Sequence, residues 1–190
     1  NHFCANPNFD VVHGDIRIRE TMQPLIEDAD CLIPLAAYVG APLCSKDPIG
    51  AKTTNHDAIM MMLDMVSDDQ WVLMPTTNSA YGTGDDNNFC DENSPLRPIS
   101  SYAIEKVAIE KELMKRENSI SFRLATVFGM SPRLRLDLLV NDFVHRAVRD
   151  KAVVLFESHF KRNYVHVRDV SRVFMHGIAN FEGMRGEIYN

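Results

Sequence analysis

The chain has 190 residues, of which 45% are hydrophobic and 24% are charged, proportions that suit one soluble globular domain with a sizeable core. Its formal net charge of -6, with no run of lysine and arginine, argues against a nucleic-acid partner. The longest apolar runs fall far short of the roughly 20 residues that a membrane span needs, and no signal segment opens the sequence, so we expect a cytoplasmic protein.

Short runs rich in valine and isoleucine alternate along the chain with longer stretches of helical periodicity. The predicted strands are residues 10–13, 30–34, 70–74, 120–127, 152–156, 163–167 and 187–189. The predicted helices are residues 20–28, 48–67, 100–117, 138–149 and 167–180. Residues 31–33 and 71–74 are apolar at every position, which indicates a sheet covered on both faces. The order of elements therefore predicts an α/β fold with a doubly wound parallel sheet.

Two segments show neither the pattern of a strand nor the periodicity of a helix. Residues 82–98 are rich in Gly, Pro, Asp and Asn, so we expect a surface loop there, close to any site. Residues 130–137 are expected to form a mobile connection to a smaller lobe. The Gly-rich turn that opens a dinucleotide-binding fold is absent from the sequence, so we expect a chain that is truncated at its start and, after the last predicted strand, at its end.

The cysteines and histidines show no ligand pattern. Cys4, Cys31, Cys44 and Cys90 are widely spaced, so we expect four reduced, structural thiols. The seven histidines are scattered and no Cys/His cluster occurs, so we expect no metal centre.

Tyr102 and Lys106 stand one helical turn apart, which places the phenol and the ammonium on one face of the predicted helix. A hydroxyl-rich segment that includes Thr77 follows the predicted strand 70–74. Ligands of open α/β sheets bind at the carboxyl ends of strands, so we expect Thr77, Tyr102 and Lys106 to share a site. Taken alone, Tyr102 and Lys106 would also fit an ordinary pair of surface residues. The segment with Thr77, taken alone, would also fit a simple turn.

In identity and spacing these three residues resemble the extended short-chain dehydrogenase/reductases, a family with a Rossmann-like fold that binds NAD. The resemblance implies that Tyr102 is the catalytic base, that Thr77 positions a substrate hydroxyl, and that Tyr102 and Lys106 contact the cofactor. A phenol has an ordinary pKa of ~10, so we expect the charge of Lys106 to lower the pKa of Tyr102 and an oxidised nicotinamide beside the phenol to lower it further, toward neutrality.

Further matches to this family follow along the chain. The residues that match cofactor-binding positions are Asp15, Ile16, Leu35, Ala36 and Ala37. Asp15 and Ile16 match the adenine-contacting segment, whereas Ala36 and Ala37 also fit close backbone packing. Pro34 stands where the family usually has a histidine, and Asn55 resembles a structural asparagine of a helix.

The residues that match substrate-binding positions are Asn78, Ser79, Phe128, Asn141 and Arg162. Asn141 and Arg162 match positions that grip a nucleotide diphosphate, for which a guanidinium suits because it bonds two oxygens at once. Without the resemblance, Arg162 reads as a solvated cation and Phe128 as the end of a core strand.

The resemblance divides the chain into an NAD-binding part, residues 1–129 and 163–190, and part of a substrate lobe, residues 130–162. Members of the family commonly form homodimers through two helices, here residues 48–67 and 100–117. The methionines of the first helix suit either such an interface or the core. These are Met60, Met61, Met62 and Met65.

The resemblance implies a nucleotide-sugar substrate and leaves several reactions open. Sugar-nucleotide 4,6-dehydratases of the family place Asp-Glu after the active-site Thr, whereas this chain has Asn78 and Ser79, which cannot serve as acid and base. Dehydration is therefore disfavoured. The flanking sequence resembles a subgroup with a GDP-manno-heptose 4-dehydrogenase, which favours NAD-dependent oxidation at C4 of a hexose or heptose. Epimerisation at C4 is the alternative, and a noncatalytic fragment or binding module is the second alternative.

Overall fold

The computed structural model describes residues 5–83, 89–156, 158–159 and 161–190. The helices in these ranges are α1 (Arg19–Glu27), α2 (Ala41–Lys46), α3 (Pro48–Lys52), α4 (Ala58–Met65), α5 (Ser101–Leu113), α6 (Leu139–Arg149), α7 (Val167–Ala179) and α8 (Phe181–Met184). The strands are β1 (Cys31–Leu32), β2 (Trp71–Thr77), β3 (Ser119–Leu124), β4 (Thr126–Phe128), β5 (Tyr164–His166) and β6 (Glu187–Tyr189). A π-helical turn, Thr53–Asp57, joins α3 to α4, and a 3₁₀ turn, Asn78–Tyr81, follows β2.

The main sheet has the strand order β1-β2-β3-β6, and every neighbouring pair is parallel. Side chains alternate between its two faces along β2. Val72 and Met74 pack with α1, α4 and α5, whereas Leu73 packs on the other face with residues of β3, α7 and α8. Helices therefore cover both faces, which confirms the doubly wound, Rossmann-like fold.

Helix α7 lies close against the main sheet because Gly177 has no side chain. A Cβ atom at Gly177 would lie 3.0 Å from Phe122 and 3.1 Å from Leu73. On the same face, the Trp71 ring stacks on Phe181 with the ring centroids 4.1 Å apart. These contacts close the second apolar layer under β2, the strand that ends at Thr77.

The predicted strand at residues 120–127 is wrong as a single element. It divides at Ala125 into β3, within the main sheet, and β4, which pairs with β5 in a separate two-stranded parallel sheet. The amide of Thr126 donates to the carbonyl of Asn163, which starts the new pairing. Strand-type residues run through residues 120–127 without a turn signal, so the change of pairing partner could not be read from the composition.

The predicted strands at residues 10–13 and 152–156 are also wrong, since neither run pairs with a strand in the described part of the chain. The side chains of Val11, Val12 and Phe156 are 58%, 61% and 86% exposed. Both runs have the composition of a strand, but a strand forms only where a neighbour completes its backbone hydrogen bonds.

Residues 48–67 form a segmented helix rather than a regular one, since the π turn interrupts it, and the helical segments end at Met65. Met62 lies in the core, whereas Met60, Met61 and Met65 are half-buried. The helices α2 and α8 were not predicted, because six and four residues are too few to show a full apolar period. None of the helices in the described ranges is long and apolar enough to cross a bilayer.

Candidate active site

Thr77 is the last residue of β2 and lies at the carboxyl edge of the main sheet, 7% exposed. Its hydroxyl oxygen accepts a hydrogen bond of 3.2 Å from the amide of Ser79, which starts the 3₁₀ turn. Because the oxygen accepts this bond, its proton remains available to donate to a ligand. Asn78 is half-buried and Ser79 is exposed on the same turn.

Tyr102 lies in the first turn of α5, which begins at a conventional serine cap. The Ser100 hydroxyl accepts a hydrogen bond of 3.2 Å from the amide of Ala103. The Tyr102 side chain is half-buried, and its hydroxyl makes no hydrogen bond to any residue that the structure describes. Burial raises the pKa of the Tyr102 phenol to about 12, and the nearby Cys44 thiol adds to the rise.

Lys106 lies one turn further along α5 and is only 4% exposed. Its ammonium donates a hydrogen bond of 3.2 Å to the carbonyl oxygen of Pro75, two residues before Thr77. Burial lowers the pKa of Lys106 to about 8, against an opposing effect of Glu105. Burial thus holds the pKa of Tyr102 above its ordinary value, so lowering that pKa toward neutrality requires more than the charge of Lys106.

Asn55 holds the loop between β1 and α2 beside this helix. Its fully buried amide accepts a hydrogen bond of 2.7 Å from the backbone amide of Tyr38 and donates one of 3.0 Å to the carbonyl of Tyr38. The Cys44 thiol donates to the same carbonyl at 3.3 Å. Leu35 and Ala36, on the same loop, are exposed and Ala37 is half-buried. The Asn55 amide thus fixes the backbone while one side of the loop stays open.

Asp15 and Ile16 lie just before α1, which begins at Arg19. The carboxylate of Asp15 accepts four hydrogen bonds from the Arg17 side chain and backbone, which hold its pKa at about 2. A cavity of about 540 Å³ lies between Arg17 and the helical face of Gly50 and Met61. None of the expected catalytic side chains lines that cavity, so it is separate from the Tyr102 site.

Three of the expected substrate residues, Phe128, Asn141 and Arg162, lie in or next to the small β4–β5 sheet. Phe128 packs edge-on against His166 with the ring centroids 5.3 Å apart. Gly129 follows with a φ of 122°, and a Cβ there would lie 2.6 Å from the His166 ring. Asn141 accepts a hydrogen bond of 3.1 Å from the Gly129 amide and donates one of 3.0 Å to the carbonyl of Arg135. Its side chain therefore holds the backbone of that connection.

Arg162 precedes β5 and is exposed, and it forms no ion pair with the described carboxylates. The connection at residues 130–137 has neither helix nor strand, as predicted. The loop at residues 82–98 is described except for residues 84–88, and Gly82 turns the chain into it with a φ of 68°.

A buried polar cluster behind Thr77 was not predicted. It consists of Thr76, Tyr81, Glu110, Ser121 and Arg123. The alternation of serine and arginine with apolar residues along β3 could have signalled it, because a polar row inside a sheet covered on both faces must meet a polar partner.

The cysteines Cys31, Cys44 and Cys90 are free thiols, whereas Cys4 lies outside the described residues. The described ranges contain no group of three His, Cys, Asp or Glu side chains arranged to hold a metal ion.

Comparisons with known proteins identify relatives of similar sequence and similar fold. The chain is 27% identical over 198 residues to the low-salt glycan biosynthesis protein Agl12 of Haloferax volcanii, covering 99% of this chain and 62% of that protein. It superposes on DesIV, a dTDP-glucose 4,6-dehydratase of Streptomyces venezuelae solved with NAD and DAU bound, with a TM-score of 0.85 and 24% identity over 99% of this chain and 59% of that one.

A third match is the UDP-glucuronic acid 4-epimerase of Bacillus cereus, solved with UDP-glucuronic acid and NAD. The TM-score is 0.83 and the identity 21%, over 98% of this chain and 61% of that one. The chain thus spans about three fifths of the length of these relatives. The model of the NAD dependent epimerase/dehydratase family matches residues 1–190, and the chain belongs to that family.

Proposed function

We propose that this chain is part of an NAD-dependent enzyme that oxidises the C4 hydroxyl of a nucleotide-activated hexose or heptose. The observation that carries the proposal is the hydrogen bond from Lys106 to Pro75, which ties the helix of Tyr102 to the strand that ends in Thr77. An alcohol oxidation needs a base and a positioning hydroxyl in a fixed arrangement, and these elements supply both.

The three side chains have distinct roles in this proposal. Tyr102, as phenolate, accepts the proton of the C4 hydroxyl, and Thr77 donates a hydrogen bond to the oxygen of that hydroxyl. Lys106 holds a positive charge one turn from the phenol, which favours the phenolate. Since burial raises the pKa of Tyr102 to about 12, a positive charge in addition to that of Lys106 is needed to bring it toward neutrality.

The donor groups of the site suit a dinucleotide. Lys106 uses one of its three N–H donors on Pro75, and the Tyr102 hydroxyl is unbonded among the described residues, so both suit ribose hydroxyls. Bound NAD would supply a hydride acceptor and a positive charge beside the phenol. We propose that the rest of the NAD molecule contacts Asp15, Ile16, Leu35, Ala36 and Ala37.

The substrate side of the proposal rests on Asn78, Ser79, Phe128, Asn141 and Arg162. The guanidinium of Arg162, exposed at the start of β5, suits a diphosphate. Asn141 already uses its side chain on Gly129 and Arg135, so it would act by holding that connection or by exchanging these bonds for a ligand. Structures of relatives with UDP-glucuronic acid and the glycan role of Agl12 support a nucleotide sugar.

The remaining parts of the proposal concern domains and assembly. Residues 1–129 and 163–190 would bind the cofactor, and residues 130–162 would begin a substrate lobe. A homodimer through the helices of residues 48–67 and 100–117 is supported by the exposure of Ile49 and Ile104 on those segments.

The alternative reaction is epimerisation at C4, which shares the oxidation and then returns the hydride to the other face. Dehydration is disfavoured by Asn78 and Ser79, which offer neither a carboxylic acid nor a carboxylate. Both dehydratases and epimerases occur among the structural matches, and their sequence identities to this chain show a shared fold only.

The test uses protein expressed from its complete reading frame, incubated with NAD and a panel of GDP-, UDP- and dTDP-sugars. Sustained absorbance of reduced nicotinamide with formation of a ketone is the expected result. An inverted C4 without net reduction would indicate the epimerase instead. If no sugar changes and no cofactor binds, the noncatalytic alternative holds.

A further inference from the structure

A buried ion pair lies directly behind the proposed site. The Arg123 guanidinium, on β3, donates to both carboxylate oxygens of Glu110, with distances of 2.6 Å from one amino nitrogen and 3.1 Å from Nε to each oxygen. Both side chains are 4% exposed. Glu110 follows Lys106 by one helical turn, so the ion pair joins β3 to the same helix that carries Tyr102 and Lys106.

The carboxylate of Glu110 also reaches the strand of Thr77. Its Oε2 atom accepts a hydrogen bond of 2.7 Å from Ser121 and one of 3.0 Å from Thr76. Thr76 immediately precedes Thr77 on β2. One carboxylate on α5 therefore contacts both central strands of the sheet, and on β2 it does so at the residue next to the proposed positioning hydroxyl.

Arg123 extends the same cluster to the other side of Thr77. Its second amino group donates to the Tyr81 hydroxyl at 2.7 Å and to the carbonyl of Glu92 at 3.1 Å. The Tyr81 hydroxyl in turn donates to Asn190 at 2.7 Å. Tyr81 closes the 3₁₀ turn that begins just after Thr77. The cluster thus holds the chain before Thr77, through Thr76, and after it, through Tyr81.

Stability alone is a weak explanation for this arrangement. Removing two charges from water costs free energy that an ion pair recovers only with good geometry, and well-packed apolar residues often serve stability equally well. A polar cluster in which every group is hydrogen-bonded also fixes the relative positions of the helix and strands that it joins.

We propose that Glu110, Arg123 and Ser121 are positioning residues that set the distance between Tyr102 on α5 and Thr77 on β2. The proposal rests on the proposed function, because it assigns these residues to the same reaction. Neither residue of the ion pair touches the site itself, so the effect acts through the placement of Tyr102, Lys106 and Thr77. Displacements on the order of 1 Å are enough to slow an aligned reaction about a hundredfold.

Two serines of β3 provide a matched test. Ser121 and Ser119 are both fully buried and face α5, but Ser119 donates to the carbonyls of Leu113 and Arg116, at the far end of the helix. Ser121→Ala therefore removes a hydroxyl from the cluster, and Ser119→Ala removes one from the same strand and helix outside it. Ser121→Thr keeps the hydroxyl.

We expect Ser121→Ala to lower kcat about tenfold with unchanged Michaelis constants for NAD and sugar, while Ser119→Ala keeps the wild-type kcat. Both variants should lose similar thermal stability, and Ser121→Thr should restore kcat. Equal kcat values for the two alanine variants would overturn the proposal.

A second measurement separates this proposal from the proposed function. Ultraviolet titration, with Tyr102→Phe as the reference, follows ionisation of the Tyr102 phenol without any substrate. In Ser121→Ala, a loosened helix should admit water and move that ionisation toward the ordinary range, whereas Ser119→Ala should leave it in place. If the wild-type enzyme turns over no sugar, the proposed function fails, and the titration alone then tests the positioning role. An identical phenol titration in both variants would then overturn the positioning role.

Discussion

The ammonium of Lys106 is bonded to the carbonyl oxygen of Pro75 at 3.2 Å, so a buried charge on α5 meets a backbone group of β2. Pro75 lies two residues before Thr77 on β2, and Lys106 lies one helical turn after Tyr102 on α5. This contact therefore holds the lysine close to both residues. It also explains how an ammonium that is 4% exposed is tolerated, because a buried charge needs a hydrogen-bond partner.

The lowered pKa of Lys106 should make the stability of the protein depend on pH. Its pKa is about 8 in the folded protein, below the ordinary value of 10.5, so between these values the unfolded chain binds a proton that the folded protein does not. Stability from this group should therefore rise with pH from about 8 to about 10.5, by up to about 3 kcal/mol, and be flat below that window. Denaturant unfolding across this pH range measures it.

The variant Lys106→Met should lack that rise. The matched control is Lys115→Met, because the Lys115 ammonium is exposed and pairs with Glu112 at the surface. We expect Lys115→Met to follow the wild-type profile. Parallel profiles for the wild type and Lys106→Met would contradict a depressed lysine pKa.

Tyr102→Phe should abolish turnover without loss of stability. The Tyr102 hydroxyl makes no hydrogen bond to the described residues, so its removal leaves no partner unsatisfied. Loss of a general base should lower kcat by at least about a hundredfold. Steady-state kinetics and thermal unfolding together measure this, with Tyr164→Phe as a control at a partly exposed tyrosine of β5. Retention of kcat in Tyr102→Phe would rule out the phenol as base.

Breaking the buried ion pair should be costly and non-additive. Arg123→Met leaves the Glu110 carboxylate without its main partner, so we expect the free energy of unfolding to fall by about 3–5 kcal/mol. The double variant Glu110→Gln with Arg123→Met should lose less than the sum of the two single variants. Denaturant unfolding of all three completes the cycle, and additive losses would mean that the two residues do not interact.

Asn141 should control the connection between β4 and α6. Asn141→Ala removes both backbone bonds, to Gly129 and to Arg135, so amide hydrogen exchange at residues 129–135 should accelerate. Asn141→Asp keeps the acceptor for the Gly129 amide and should accelerate exchange less. Unchanged exchange in Asn141→Ala would show that these bonds do not hold the connection.

The covered parallel sheet was predictable from sequence because residues 31–33 and 71–74 are apolar at every position. The strand predicted at residues 70–74 forms as Trp71–Thr77, so Thr77 is its last residue rather than part of the segment that follows. The runs at residues 10–13 and 152–156 have similar composition, but composition does not specify a neighbouring strand. The same limit hid the division of β3 from β4, since pairing partners lie far apart along the chain.

The candidate site shows the same division between local and long-range information. Tyr102 and Lys106 were predicted from a spacing of one helical turn, which any helix places on one face. Glu110 continues that face, yet its partners on β2 and β3 become visible only once the helix is packed on the sheet. The rise in the pKa of Tyr102 likewise depends on burial, which no spacing reveals.

The most direct test of the proposed oxidation traces the hydrogen at C4. Protein from the complete reading frame is incubated with NAD and a nucleotide sugar that carries deuterium at C4, and the position of the label is read by NMR and mass spectrometry. The proposal predicts deuterium on the reduced nicotinamide together with a 4-keto sugar. Deuterium returned to an inverted C4 would identify the epimerase. Deuterium moved to C6, or an unreacted sugar, would contradict the account.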